Sequence, residues 1–193
     1  LITSATLSSS RMFEELKKIN RRLDRKVHDL DSLFELSKDF NQMQSIDELS
    51  RTMKFALLGQ LFVNRFLFLF KEGGNAKVLV QSGLQIKAPD HNPLVLFDIP
   101  RVMAVEDMAE FWSDSSSTDE LEAWATYLNQ QKIHYVLPVQ SQGETLGVIG
   151  IGNKSTGQAL ADDELDFVLS LANLVVLNIK RIQLLQEQLL NQQ

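Results

Sequence analysis

The feature that most constrains this chain is a seven-residue repeat of apolar side chains in its first quarter. Two series, each with a spacing of seven and offset from each other by three, make up the repeat: Leu16, Leu23, Leu30 and Ser37, and Ile19, Lys26, Leu33 and Phe40. Alternating steps of three and four residues put both series on one face of an α-helix, as in a coiled-coil seam. We therefore predict one long helix over residues 11–43. Because Val27 and Phe34 widen the apolar stripe, a lone amphipathic helix folded onto the domain is the alternative.

The same spacing returns in residues 161–193, which we predict to be a C-terminal helix that continues into a coiled-coil linker. Asp162 or Asp163 is its expected N-cap. If both seams join two chains, the protein is a homodimer. The predicted dimer interface consists of Leu16, Ile19, Leu23, Leu30, Leu33, Leu171, Val175, Asn178, Ile182, Leu185 and Leu189.

Composition limits the functions that the chain can have. Its 193 residues are 44% hydrophobic, which fits one globular domain with extensions. With 19 basic and 25 acidic side chains and a pI of about 5.1, the chain lacks the basic surplus that nucleic-acid binding needs. It contains no cysteine, so disulfides, thiol nucleophiles and thiolate metal sites are excluded.

The sequence also gives expectations about the ends and the location of the chain. It begins with Leu1 rather than methionine and continues with serines and threonines. We therefore expect residues 1–10 to be disordered or foreign to the natural protein, and the chain to be part of a longer one. The most apolar run, residues 61–70, is interrupted by Asn64 and Arg65 and is shorter than the ~20 residues that span a bilayer. We expect no membrane insertion and a cytoplasmic location.

Residues 44–160 are predicted to be a core that mixes helices and strands. Ser45 with Glu48 three residues later is a capping box, so a helix is expected from about residue 46 to Gly59, with Phe55 on its buried face. Strands are predicted at 65–71, 76–82, 134–141 and 145–152, joined in pairs by glycine-containing turns. Glycines at 147, 150 and 152 leave room for a large group to lie across the last strand.

Residues 86–131, together with Gln140, carry the candidate binding residues. Three prolines punctuate the stretch that begins at Gly83, and a second capping box at 117–120 opens a helix. Side chains that could wall a cavity or anchor a ligand are Phe97, Arg101, Met108, Phe111, Trp112, Trp124, Tyr127 and Gln140. Ligand sites combine apolar walls with a few placed polar groups. Aromatic residues on amphipathic helices are also ordinary core, which is the alternative interpretation.

The last third of the chain has the most specific motifs. An apolar-Pro-apolar strand around Pro138 is followed by a polar turn, a Leu146-Gly147-Val148 strand, and Leu160 before the acidic helix start at Asp162. Together with the order helix, helix, hairpin, irregular region, hairpin and long helix, these motifs resemble the GAF domain family of small-molecule-sensing signalling modules. The resemblance covers about residues 30–185. It implies an α+β fold with an antiparallel sheet of five or six strands, terminal helices on one face and a ligand pocket on the other.

Cyclic-nucleotide-binding members of that family carry a scattered Asn-Lys-Phe-Asp-Glu signature, which this chain matches in part. Asn153 and Lys154 match its start, whereas Leu160, Glu164 and Leu165 stand where phenylalanine, aspartate and the final glutamate are expected. The partial match leaves a cyclic nucleotide open as the ligand. Lys154 can still pair with Glu164, or the Asn-Lys pair is simply a polar strand end.

The remaining side chains give no sign of catalysis or metal binding. Haem-binding members of the family use a histidine, which would make His91 or His134 the iron ligand. Transition metals need clustered ligands, however, and these histidines are far apart in the sequence. GAF-like methionine sulfoxide reductases depend on cysteine, which this chain lacks. No catalytic or metal-binding residue is predicted in this segment.

The predicted function is that of a regulatory sensor and not of an enzyme. A small molecule bound in the core would shift the last helix and so pass its state to a C-terminal catalytic domain in the same chain. The family resemblance implies a bacterial signalling protein whose effector is a diguanylate cyclase, serine phosphatase, kinase or adenylyl cyclase. The alternatives are a ligand-free dimerisation spacer and a cyclic-nucleotide-binding GAF domain.

Overall fold

The computed structural model describes residues 2–112 and 118–192, which form two units. The first is the helix α1 (Ile2–Gln42), and the second comprises the chain from Met43 onward. The long helix predicted over 11–43 is confirmed, but the disorder predicted for residues 1–10 is wrong for 2–10, which are helical. An existing helix grows without a new nucleus, and each serine costs only roughly 0.5 kcal/mol relative to alanine.

The helix α2 (Ile46–Leu61) begins as predicted and ends later. The Ser45 hydroxyl accepts a hydrogen bond from the Glu48 amide at 3.2 Å, which confirms the cap. The helix passes Gly59 and is closed by Phe62, which adopts a left-handed φ of 57°. Phe55 is 64% exposed, so its predicted burial is wrong. It lies about 200° around the helix from the buried Met53, because each residue turns an α-helix by about 100°.

Both predicted hairpins are present and belong to one antiparallel sheet. The strands are β1 (Phe66–Glu72), β2 (Asn75–Ser82), β3 (Met103–Ala104), β4 (Ile133–Ser141) and β5 (Glu144–Gly152). They lie in the order β2-β1-β5-β4-β3, so β5 is central. Gly73 and Gly74 make the first turn with φ of 58° and 86°, a region that glycine enters without steric cost. The protein is therefore α+β.

The two faces of the sheet are covered by different helices. On β1, Leu67 and Leu69 belong to a hydrophobic core shared with α4 (Thr118–Gln130), whereas Phe66 and Phe68 alternate with them and point to the opposite face. The helix α5 (Asp162–Asn191) packs on α2 and on β4 and β5. Between β2 and α4 the chain forms 3₁₀ turns at Pro93–Asp98 and Val105–Asp107 and the short helix α3 (Met108–Phe111). Of the second predicted capping box, Ser117 lies outside the described residues.

The glycines of β5 have the role that the sequence predicts for them. A Cβ at Gly147 would lie 2.8 Å from the Phe68 ring, and a Cβ at Gly152 would lie 2.7 Å from the Lys132 carbonyl oxygen. Real Cβ atoms essentially never come this close to other heavy atoms. The groups that lie across the strand are therefore the Phe68 ring at Gly147 and the Lys132 backbone at Gly152.

The helix α5 is a core helix for most of its length. Four residues predicted to contact a second chain, Leu171, Val175, Asn178 and Ile182, are at most 5% exposed within this chain. That prediction is wrong for these four, because the three-and-four spacing of their stripe serves packing inside the domain. Leu185 and Leu189 are 46% and 66% exposed. By length and composition alone, α5 is also apolar enough to cross a bilayer, as buried core helices often are.

The start of α5 also differs from the prediction. Its N-cap is Ala161 and not Asp162 or Asp163. The Glu164 carboxylate accepts a hydrogen bond from the Ala161 amide at 3.2 Å. The acidic residues therefore occupy the first turn, where negative charge interacts favourably with the helix dipole.

Candidate functional site

The structure brings five of the eight predicted ligand-binding residues together, but as packed core. Phe97, Met108, Trp112, Trp124 and Tyr127 are at most 9% exposed, and all belong to the hydrophobic cluster between α4 and the sheet. The Trp124 and Tyr127 rings meet edge to face with their centroids 5.7 Å apart. Side chains of the protein thus fill the space in which these residues were predicted to enclose a ligand.

The other three predicted ligand-binding residues lie at the surface. Arg101 and Gln140 are exposed, and Phe111 is 48% exposed. The Gln140 amide donates to the Thr145 hydroxyl at 3.5 Å, across the β4–β5 hairpin. The structure therefore does not assemble the eight residues into one site.

The segment 85–91 is attached to α4 and to the residue after it by side-chain hydrogen bonds. The Trp124 indole donates to the His91 carbonyl at 3.2 Å, and the Tyr127 hydroxyl donates to the Ile86 carbonyl at 3.1 Å. The Gln131 side-chain oxygen accepts from the Gln85 amide at 2.8 Å. Burial raises the pKa of Tyr127, which keeps its hydroxyl protonated and able to donate.

Gln131 is a structurally important position that the sequence did not reveal. It is only 3% exposed, and its backbone carbonyl accepts a hydrogen bond from the Arg65 guanidinium at 3.4 Å. A glutamine just beyond a helix end is usually at the surface. Only the long-range contacts with the segment 85–91 make this side chain structural.

Two clefts lie along α4. The first, of about 410 Å³, separates α4 from the segment 85–91 and is lined by Ile86, Lys87, Pro89, Asp119, Glu122, Ala123, Thr126, Tyr127 and Gln130. The second, of about 370 Å³, lies on the α3 side of α4 and is lined by Val105, Glu106, Ala109, Trp112, Leu121, Glu122, Ala125, Thr126 and Asn129. Because Glu122 and Thr126 border both clefts, α4 forms their shared wall.

A third cleft, of about 570 Å³, lies where the two hairpin turns approach the first 3₁₀ turn. Its polar lining includes Lys71, Asp98, Glu120 and Glu144, and Phe97 contributes an apolar wall. Within this lining, the Lys71 ammonium group lies 3.7 Å from the Glu144 carboxylate, and both side chains are partly exposed. This cleft is more polar than the one on the α3 side of α4.

The cleft on the α3 side of α4, which we call the α3–α4 cleft, has the chemistry most suited to a small organic molecule. Val105, Trp112 and Leu121 supply apolar walls. The polar lining residues are exposed: Glu106, Glu122, Thr126 and Asn129. Its charged lining residues are Glu106 and Glu122, with no basic side chain among the described residues that line it. The arrangement favours an apolar body with a neutral or cationic polar group and disfavours a phosphate.

The residues at the positions of the cyclic-nucleotide signature have a structural role in this chain. Lys154 and Glu164 form an ion pair of 2.7 Å, which is one of the two alternatives that the sequence left open, and both side chains are about one-fifth exposed. Next to it, the Ser155 amide and hydroxyl both donate to the Phe62 carbonyl at 2.8 Å. These contacts tie the end of β5 to α5 and α2. Neither Lys154 nor Glu164 lines any of the three clefts.

The histidines do not form a metal site. His91 lies in the segment 85–91 and His134 lies on β4, and both are exposed. In the part of the chain that the structure describes, no group of three or more histidine and carboxylate side chains could hold a metal ion.

Comparisons with known proteins identify the fold. No protein-family model and no curated protein sequence matches the chain. The structure is similar to the GAF domain of a putative sensor histidine kinase from Pseudomonas syringae pv. tomato, with a TM-score of 0.56, 12% identity, and coverage of 89% of this chain and 97% of that one.

Two further solved structures are similar to this chain in fold. The GAF domain of an Acinetobacter phosphoenolpyruvate-protein phosphotransferase gives a TM-score of 0.56 at 14% identity, over 80% of this chain and 93% of that one. Residues 122 to 287 of a methyl-accepting chemotaxis protein give a TM-score of 0.55 at 22% identity, over 77% and 97%. The five-stranded antiparallel sheet with α2 and α5 on one face and α4 on the other is therefore the fold of a GAF domain.

Proposed function

We propose that this chain is a regulatory, non-catalytic module of a larger signalling protein and that it acts as a homodimer joined through α1. The observation that carries the proposal is the exposed seam of α1: Leu16, Ile19, Leu23 and Leu30 are each 52–65% exposed at coiled-coil spacing. Burying one leucine side chain is worth about 1.5–3 kcal/mol. A second copy of the same helix supplies the apolar surface that this seam lacks.

The other end of the chain supports a role in transmission. Leu185 and Leu189 lie beyond the buried part of α5, on a helical extension that ends at Asn191. A displacement of α5 would pass along this extension to a catalytic domain attached after it. The sensor-kinase neighbour supports this class of role, because its GAF domain belongs to a signalling protein.

A small molecule in the α3–α4 cleft is the proposed input. Its apolar walls support binding, and its acidic border favours a ligand without phosphate. Cyclic nucleotides and haem are the less favoured ligands, since the cleft lacks a basic side chain and neither His91 nor His134 lines it. The packed cluster around Trp124 supports the second candidate function, a ligand-free spacer that sets the register of neighbouring domains.

Light scattering coupled to size-exclusion chromatography tests the dimer. We expect a dimer for the unmodified protein and a monomer for the double variant Ile19→Glu, Leu30→Glu, because two carboxylates in the seam of each chain oppose pairing. Leu58→Glu is the matched control, since Leu58 is 43% exposed on α2, outside the seam. A monomeric unmodified protein at all concentrations would refute the proposal.

Thermal-shift screening separates the sensor from the spacer. A ligand that binds the folded state raises Tm with its concentration. We expect stabilisation by amphiphilic amines and loss of that stabilisation in Ala109→Trp, which fills the α3–α4 cleft. No shift across a broad metabolite panel supports the spacer.

A further inference from the structure

The charges of α1 are segregated along its length. Residues 11–26 carry seven basic and three acidic side chains, whereas residues 27–42 carry one basic and four acidic ones. The change of sign occurs within one uninterrupted helix, and the charged side chains of residues 11–26 are all exposed. Adjacent helices of a bundle lie 8–10 Å apart, which is about one Debye length at physiological salt, so the charges of one helix act on its neighbour.

The orientation of a second copy therefore matters. In a parallel pair, the basic half of α1 would face another basic half and the acidic half another acidic half. Lys26, which occupies a seam position, would also meet Lys26 of the second copy in the same layer. A parallel pair therefore places like charges together twice, along the two halves of the helix and in the Lys26 layer, which is unfavourable.

An antiparallel pair places opposite charges together. If Leu16 packs against Leu33 of the second copy, the same register puts Ile19 opposite Leu30 and Leu23 opposite Lys26. Each Lys26 then lies among apolar neighbours, along which its aliphatic stem can extend while the ammonium group reaches water. Arg22 comes beside Asp29 of the second copy on one flank of the seam, once on each side of the two-fold axis.

We propose that two copies of this chain pair through α1 in antiparallel orientation, with the basic half of each helix beside the acidic half of the other. The proposal rests on the dimer described under the proposed function and names its partner surface: residues 16–33 of a second copy. Lys26 and the segregated charges carry it, since neither has a role in a parallel seam.

Spin labels on single cysteines measure the orientation directly, and the chain has no native cysteine to interfere. In the antiparallel register Glu14 is level with residue 35 of the second copy. The two labels at Glu14→Cys are then offset by roughly 21 residues, or about 30 Å along the axis. Arg25→Cys lies near the two-fold axis and is the matched control, with an axial offset of only about 1.5 Å.

Electron–electron double resonance on the full chain should therefore give a clearly longer distance for the label at 14 than for the label at 25. Equal short distances at both positions would establish a parallel pair and overturn this inference, while the dimer itself would stand. The absence of any dipolar signal, together with a monomeric mass from light scattering, would refute both the orientation and the proposed dimer.

Salt dependence gives an independent readout. Screening weakens attraction between unlike charges, so raising NaCl from about 0.05 to 1 M should increase the dimer dissociation constant several-fold. A decrease would indicate like charges in contact and would overturn the antiparallel arrangement. Lys18→Glu with Arg21→Glu, which removes much of the basic surplus, should flatten the salt dependence and keep the helix intact.

Discussion

At the scale of single residues, the segment 85–91 depends on side chains and not on strand pairing. Trp124, Tyr127 and Gln131 follow one another at steps of three and four, so they share one face of α4 and its end. Each bonds to a different part of the segment. A buried amide without a partner costs about 1–3 kcal/mol, so these bonds matter for stability.

Gln131→Met should destabilise the fold by about 1–3 kcal/mol. Methionine has a similar length but does not accept a strong hydrogen bond, so the Gln85 amide loses its 2.8 Å partner. Urea denaturation followed by tryptophan fluorescence measures the change. Gln130→Met, at an exposed neighbouring position, should change stability by less than about 0.5 kcal/mol. Equal effects of the two substitutions would contradict the role of Gln131.

The ion pairs of this chain should contribute differently to the free energy of unfolding, according to their burial. Lys154→Met removes a pair that is about four-fifths buried and should cost about 1 kcal/mol or more. Lys87→Met removes the pair with Asp90, in which the side chains are 89% and 94% exposed, and should have almost no effect. Chemical denaturation of both variants tests this difference. If the loss of Lys154 proves as harmless as that of Lys87, the pair does not hold α5 to the end of β5.

At the scale of elements, glycine has opposite effects on stability in β5 and in α2. In the central strand, Gly147 is required because the Phe68 ring covers it. In α2, Gly59 lies inside the helix with nothing within 4 Å of its would-be Cβ. The space around each glycine therefore decides the effect of a substitution.

Gly147→Ala should destabilise the protein by about 1–3 kcal/mol, because its Cβ would meet a ring that is held in the core. Gly59→Ala should stabilise it by about 0.5–1 kcal/mol, since alanine has the higher helix propensity. The midpoints of thermal unfolding should move in opposite directions. Two shifts of the same sign would show that the Phe68 ring can retreat from β5.

At the scale of the whole molecule, the two units should respond differently to protein concentration. In the proposed dimer, pairing stabilises the exposed seam of α1, and mass action makes that stabilisation depend on concentration. Both tryptophans lie in the second unit, which has its own core.

On heating, part of the helical circular dichroism signal should therefore be lost at a temperature that rises with protein concentration. Tryptophan fluorescence should report a transition that shifts less. A matched experiment with Ile19→Glu, Leu30→Glu should remove the concentration dependence of the first signal and leave the second. Identical concentration dependence of both signals in the unmodified protein would mean that the units unfold together.

The sequence by itself determined the elements of this protein. The heptad repeat set α1, the Ser45 cap set the start of α2, and paired apolar runs with glycine turns set both hairpins. These signals are local, because capping, turn conformation and side-chain periodicity each depend on a few neighbouring residues. The pair of Lys154 and Glu164 was one of two alternatives that the sequence left open, and the structure shows that it forms.

Only the tertiary structure decided what each apolar stripe contacts. The stripes of α1 and α5 have the same spacing, yet Leu23 is exposed while Leu171 is buried against its own domain. The aromatic residues predicted to enclose a ligand instead fill the core, and Gln131 became important only through contacts with residues more than forty positions away. Periodicity fixes the face of a helix on which side chains lie, whereas the partner of that face depends on long-range packing.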